Sequence, residues 1–268
     1  MLRFIGRLMG LSLRTRLCLP FELPGMIWKR MLGLQVGFED LRLVDTIICQ
    51  FITAIETCEE DGLTSDQEFR DKYGERLFFT CTGSDGVERE LMPGGMARRV
   101  TFHNRKSFCR MVEQARTNEF NAQAEAMAEG LSDIVPMKVL RLFTAVQLET
   151  AVAGEPVFDM DFWKEHTEYK GYRQDDDTME FFWKVIESMS AEDQSGFVRF
   201  AWGRSRLPPK AFWRVNMKLL RRNASEDSLP VSHTCFFSVE LPPYTTEERT
   251  RKGILTAIHF GMGGILNA

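Results

Sequence analysis

No two cysteines of this chain form a CxxC pair. The six, at positions 18, 49, 58, 81, 109 and 235, follow no regular spacing and come with no secretory signal. Neither a disulfide framework nor a zinc site is therefore expected, and the thiols suit a reducing compartment, the cytoplasm or the nucleus. Histidine is scarce, and His103, His166 and His259 have no partner at metal-ligand spacing; no metal and no cofactor are implied. Gly261-Met-Gly-Gly264 lacks the following lysine and the strand-before-helix setting of a phosphate loop. No stretch is long and apolar enough to cross a membrane. Charge of one sign is also missing in bulk: the net value is −4, spread over both signs, which leaves no basic footprint for nucleic acid and no polybasic patch for anionic lipid. Internal repeats and low-complexity tracts are absent.

What is present is enough apolar material, 44% of 268 residues, for one large domain or two modest ones. Helical patterns dominate. Arg3, Arg7, Arg14 and Arg16, with no acid before Glu22, have the look of a mitochondrial transit peptide. The preferred reading is an internal helix with Phe4, Leu8 and Leu11 on one face, a turn at Pro20 and a second short helix around Trp28. Thr46 to Thr57 predicts a helix that buries Ile47, Ile48, Phe51, Ile52 and Ile55 and leaves Gln50, Thr53 and Glu56 outside. The acid-rich stretch Glu56 to Glu75 reads as a solvated loop or helix face. Leu77 to Cys81 and Glu88 to Met92 flank Gly83-Ser-Asp-Gly86 as two strands joined by a turn. Asn104 to Ile134 reads as long helices, and Thr144 to Gln147 as a capping box opening a helix that ends near Gly154.

Gly154-Glu155-Pro156 is the best interdomain linker, because a glycine and a proline end a helix and redirect the chain. Aromatic residues cluster after it, from Phe158 to Trp183, and mark a second, smaller domain. Ser190 is expected to cap a helix reaching Trp202, and Thr245 to Glu248 to open a last helix running to about Phe260.

One thiol sits in a setting that reads as chemistry. Cys235 lies within Leu229 to Tyr244, next but one to His233, between Pro230 and Pro242, where a short apolar run would present a nucleophile at the end of a strand. On such a strand His233 and Cys235 would share a face, so a cysteine hydrolase is one reading, although no orienting third group is identifiable. The methionines read as ordinary apolar filler.

Several blocks carry a family resemblance: Phe4 to Gly10, Leu91 to Gly95, His166 to Tyr169, Phe181 to Trp183, Phe197 to Phe200, Gly203-Arg-Ser-Arg-Leu-Pro208, and Leu229 to Tyr244 with His233-Thr-Cys-Phe236. In this order, across nearly the whole chain, they resemble the HECT domain of ubiquitin ligases. The wording of the last two blocks, with Phe102 to Lys106, is closest to the HERC group of that family.

The resemblance implies an α+β, bilobal fold. Residues 1–153 would be a mainly helical N-lobe, with a small hairpin-containing subdomain at about 45–118 that binds a ubiquitin-conjugating enzyme. Residues 154–156 would be a hinge, and 157–268 a smaller α/β C-lobe carrying the nucleophile. Relative to the family the chain starts part-way into the N-lobe. The activity implied is that of a HECT-type ubiquitin ligase: Cys235 accepts ubiquitin as a thioester from the charged conjugating enzyme and passes it to a substrate lysine.

His233 and Thr234 are implied as supporting residues, with a purely structural role for His233 equally open. Arg204, Arg206 and Glu168 would contact the ubiquitin tail or the other lobe, or stand as surface charges. Ile52, Ile55, Phe79 and Phe108 would line the groove for the conjugating enzyme, or simply form core. Ile265 stands where the family commonly has a phenylalanine important for transfer. The alternative function is a catalytically impaired HECT fragment that binds a conjugating enzyme or ubiquitin. The substrates are not legible.

Overall fold

The computed structural model describes residues 1–155 and 157–264, the last four as backbone alone. The fold is α+β and divides into two compact units, Met1–Gly10 with Leu23–Leu148, and Leu11–Glu22 with Glu149–Ala268.

The opening helix is Leu2–Thr15, and its residues up to Gly10 belong to the first unit. Gly6, Met9 and Gly10 are buried. Phe4 and Leu11 are 60% and 46% exposed, so the expected Phe4–Leu8–Leu11 face is not the packed one. The reason is a close helix crossing: a Cβ on Gly6 would lie 2.0 Å from the Met127 carbonyl oxygen of helix Asn121–Ser132. Two of the four arginines that suggest a transit peptide have folded partners, since Arg3 and Arg7 reach Asp133 at 3.0 and 2.8 Å. These hydrogen bonds hold the Asp133 carboxyl below the usual range.

Helix Thr46–Glu56 starts where Asp45 accepts a hydrogen bond from the Ile48 amide at 3.0 Å. Its buried stripe runs through Cys49, Ile52 and Ile55. Ile47, expected inside, is 80% exposed, because at ~100° per residue it lies about 140° around the helix from Ile52. The hairpin is shorter than expected: β1 (Thr80–Thr82) pairs antiparallel with β2 (Glu88–Glu90). The preceding residues bond elsewhere, with Phe79 N donating to Arg98 O and Val100 N to Leu77 O at 3.0 and 2.8 Å. Helices Arg105–Asn118 and Asn121–Ser132 fill most of the expected helical stretch.

The second unit is built on a four-stranded sheet ordered β3 (Thr167–Lys170), β4 (Met217–Arg221), β6 (Ser238–Leu241), β5 (Val231–His233). The first three strands are parallel, and β5 runs antiparallel to β6. Met217, Leu219, Val239 and Leu241 pack into one core with Trp163, Phe182, Phe197 and Ile254. Ser190 caps helix Ala191–Trp202 by accepting from the Asp193 amide at 3.1 Å. Thr144 and Gln147 form the reciprocal box that opens Ala145–Ala153. The last helix, Glu247–Gly264, extends beyond Phe260, and its cap is displaced by one residue. Thr246 Oγ1 accepts from the Arg249 amide, while Thr245 donates to Glu226.

Two tyrosines tie down the second unit's loops, one to the sheet and one to another loop. Tyr172 Oη donates to Leu241 O at 2.9 Å and Tyr244 Oη to Ser228 O at 2.7 Å. Burial pushes both phenols up to about 12. An acid whose folded pKa exceeds its unfolded value, ~10 for tyrosine, holds its proton more firmly when folded. Its stabilising contribution is therefore intact below pH ~10 and lost as pH rises towards ~12. Thermal midpoints are expected to fall steeply across that window, and Tyr172→Phe to flatten the fall while costing about 1 kcal/mol at neutral pH. A slope unchanged in the variant would refute the assignment.

Candidate functional site

The β5–β6 connection is a single tight turn. β5 ends at His233, the 3-10 turn Thr234–Phe236 reverses the chain, and β6 begins at Ser238. The residue that closes the turn is Phe237, with φ +47° and ψ 54°. A bulky side chain in this left-handed conformation costs on the order of 1–2 kcal/mol, so the surroundings must hold it there. Its amide donates to Thr234 O at 3.4 Å, and its carbonyl accepts from Lys218 N of β4 at 2.9 Å. Its ring is fully buried and stacked on Trp202, 4.4 Å between centroids and 10° from parallel.

Cys235 stands in the middle of this turn and is the exposed one of the six cysteines. Cys18, Cys49, Cys58 and Cys109 are buried and Cys81 is half-buried. Burial pushes the thiols of Cys18, Cys49 and Cys81 up, and that of Cys109 to about 12. A thiol that resists ionisation is a poor nucleophile, so these four are disqualified by their surroundings. Thr234 and Phe236 flank Cys235 and are exposed as well.

His233 does not share a strand face with Cys235, because β5 stops at the histidine and the cysteine belongs to the turn. Among the described residues its ring makes one hydrogen bond, from Nε2 to Glu240 Oε1 across the hairpin at 3.0 Å. The strand-borne Cys–His pair of a hydrolase is thus not formed. Glu240 is the residue that sequence reasoning missed. Reading 231–241 as a hairpin rather than as one strand would have brought the two side chains together.

Arg204 and Arg206 lie just beyond helix Ala191–Trp202 and go separate ways. The Arg204 guanidinium carbon is 4.4 Å from the centroid of the Trp202 ring. Arg206 pairs with Glu149 at 2.9 Å, with both side chains mostly buried. Glu168 is exposed on β3, in register with Lys218 of β4.

Ile52, Ile55, Phe79 and Phe108 are at most 2% exposed and form the core around helices Thr46–Glu56 and Arg105–Asn118. They therefore offer no surface to a partner. The resemblance nominated them as groove-lining residues, and their burial instead bears out the alternative that they form core. Ile265 and Pro156 lie outside the described residues.

Two residues before Pro156, Gly154 has φ +96°, and a Cβ there would meet the Leu207 carbonyl oxygen at 2.6 Å. Glu155 N donates to that same carbonyl at 2.8 Å. Gly154→Ala is expected to lower stability by at least about 1–3 kcal/mol, combining left-handed backbone cost with a clash. Urea denaturation would measure it, and an unchanged midpoint would contradict the close approach.

Comparison with known proteins agrees with these features. The chain matches the family model described as "HECT-domain (ubiquitin-transferase)" over residues 1–265. It is 34% identical over 265 residues to the human protein "E3 ubiquitin-protein ligase HERC2", covering 97% of this chain and 5% of that protein. It is 29% identical over 273 residues to "Probable E3 ubiquitin-protein ligase hulA" of Aspergillus terreus and to "E3 ubiquitin-protein ligase RSP5" of Emericella nidulans, covering 97% of this chain and 32% of each. The chain thus spans less than a third of the length of these curated relatives. With its thiol-bearing turn inside the matched region, the chain belongs to the HECT-domain (ubiquitin-transferase) family.

Proposed function

We propose that this chain is a ubiquitin ligase module that carries ubiquitin as a thioester on Cys235. The observation behind this reading is one exposed cysteine among six, held in a tight turn within the matched region. In the first step the Cys235 thiolate attacks the carbonyl carbon of the thioester joining ubiquitin's C-terminus to a conjugating enzyme. The tetrahedral intermediate collapses and releases that enzyme's thiolate. In the second, the neutral amine of a substrate lysine attacks the new thioester, expels the Cys235 thiolate and loses a proton to leave an isopeptide bond.

Thioester exchange between thiols is nearly balanced in energy, which suits an acceptor that must also donate. His233, paired with Glu240, is the base nearest in sequence to the nucleophile and a supporting residue. Residues 1–153 serve as the N-lobe, 154–156 as the hinge and 157–268 as the C-lobe, with the conjugating enzyme received at the small subdomain of about 45–118. Its contact residues are surface neighbours of the Phe79–Phe108 core rather than that core itself.

The test is incubation with a panel of ubiquitin-charged conjugating enzymes, followed by non-reducing electrophoresis and mapping of the adduct. A ubiquitin adduct on Cys235 that is removed by thiol reductant supports the reading. Its absence across a broad panel defeats it, and binding without an adduct would leave a recruitment module instead.

A further inference from the structure

Phe237 binds the turn to its surroundings in three ways: its amide to Thr234 O, its carbonyl to Lys218 N of the sheet, and its ring to Trp202. Both backbone bonds are made with Phe237 in the left-handed conformation, which is costly for a phenylalanine without outside support. The ring contact is what can supply the constraint. Trp202 is the last residue of helix Ala191–Trp202, and the hydrogen bond from Gly203 N to Arg199 O ends that helix. The next residue, Gly203, carries the chain past Thr234: a Cβ built on it would be 4.0 Å from Thr234 Cβ. The indole is itself half-buried and has the Arg204 guanidinium over its ring. Helix end, indole, Phe237 and the turn form one continuous stack, with Cys235 two residues from its tip.

We propose that Trp202 is a positioning residue for Cys235: its flat aromatic face holds Phe237 in the left-handed conformation and so sets where the thiol stands. The proposal rests on Cys235 being the acyl carrier, and Trp202 touches no reacting atom. A loose turn would still expose the thiol to solvent but would spread its position relative to the incoming thioester. Misplacement of a nucleophile by about an ångström is enough to cost on the order of 10²-fold. Because the indole is half-buried and lies at the helix end, removing it is expected to leave the unit folded.

The experiment compares Trp202→Leu, which keeps apolar bulk but loses the flat face, with Trp202→Phe, which keeps the face. Trp202→Gln is a second non-aromatic variant should W202L not fold. Two readouts are taken on the whole chain. The first is amide hydrogen exchange at Phe237 and Lys218, the two donors that lock the turn, and it needs no ubiquitin. Exchange at both is expected to accelerate at least about tenfold in the non-aromatic variants and to stay near wild type in W202F, with protection elsewhere in the sheet unchanged. The second is the rate of Cys235 charging, expected to fall about 10²-fold in kcat, with KM for the charged conjugating enzyme unchanged, and to recover in W202F.

Wild-type exchange at Phe237 and Lys218 in the folded non-aromatic variants overturns the proposal, as does W202F behaving like W202L. If wild type itself never charges, the carrier reading fails, while the exchange data still decide whether Trp202 holds the turn.

Discussion

Replacing Cys235 by alanine is expected to abolish every reducible ubiquitin adduct and to lower ligation by at least about 10³-fold, with no change in thermal stability beyond about 0.5 kcal/mol. The first effect is large because the other thiols are no substitutes. Cys18, Cys49 and Cys109 are buried, Cys81 is half-buried, and burial raises the pKa of all four. The second is small because Cys235 is exposed and makes no hydrogen bond among the described residues.

Cys235→Ser sharpens the test. Any adduct it forms is an oxygen ester, so thiol reductant should no longer release it, whereas hydroxylamine should. Its formation should be slow, because a serine hydroxyl without a dedicated base is a weak nucleophile. Alkylation of the native protein by iodoacetamide should label Cys235 first and the other five only after unfolding. A reducible adduct that persists in C235A would overturn the assignment.

The largest expected loss of stability comes from Gly130→Ala. A Cβ there would lie 1.9 Å from the Arg3 carbonyl oxygen, and that atom belongs to the backbone of helix Leu2–Thr15, which cannot swing aside as a side chain does. The reciprocal contact, Gly6 to Met127 O, shows that each helix lays its backbone against the other. Relief requires the crossing to open, which strips packing from Met9 and Leu131. The cost is put at about 3 kcal/mol, or a fall of roughly 6–12 °C in Tm for a chain of this size. Gly25→Ala is the control, since nothing lies within 4 Å of its Cβ and alanine favours the short helix it opens. Equal midpoints for G130A and G25A would refute the close crossing.

Local signals were legible where they are satisfied within a few residues. The capping box at Thr144, the N-cap at Ser190 and the hairpin turn Gly83–Gly86 depend on neighbours along the chain, and each occurs as read. Signals that depend on a distant partner were less so. Phe4 and Leu11 were read as a buried face because their spacing is helical and apolar, yet the packing surface belongs to Gly6 and Gly10, whose value lies in what they lack. Ile52, Ile55, Phe79 and Phe108 carry the same apolar chemistry whether they face a partner or a core, and only burial separates the two. His233 was legible as a neighbour of Cys235, while Glu240, seven residues on, becomes its partner only once β5 folds back on β6.

By itself the sequence determined the family, the α+β class and the cysteine worth testing, because these are written in ordered blocks such as Gly203 to Pro208 and His233 to Phe236 that survive without knowledge of any contact. Only the tertiary structure decided which thiol is exposed and what fixes its turn. Exposure depends on everything packed around a residue, and the left-handed backbone of Phe237 is tolerable because Trp202, 35 positions earlier in the chain, is brought against its ring.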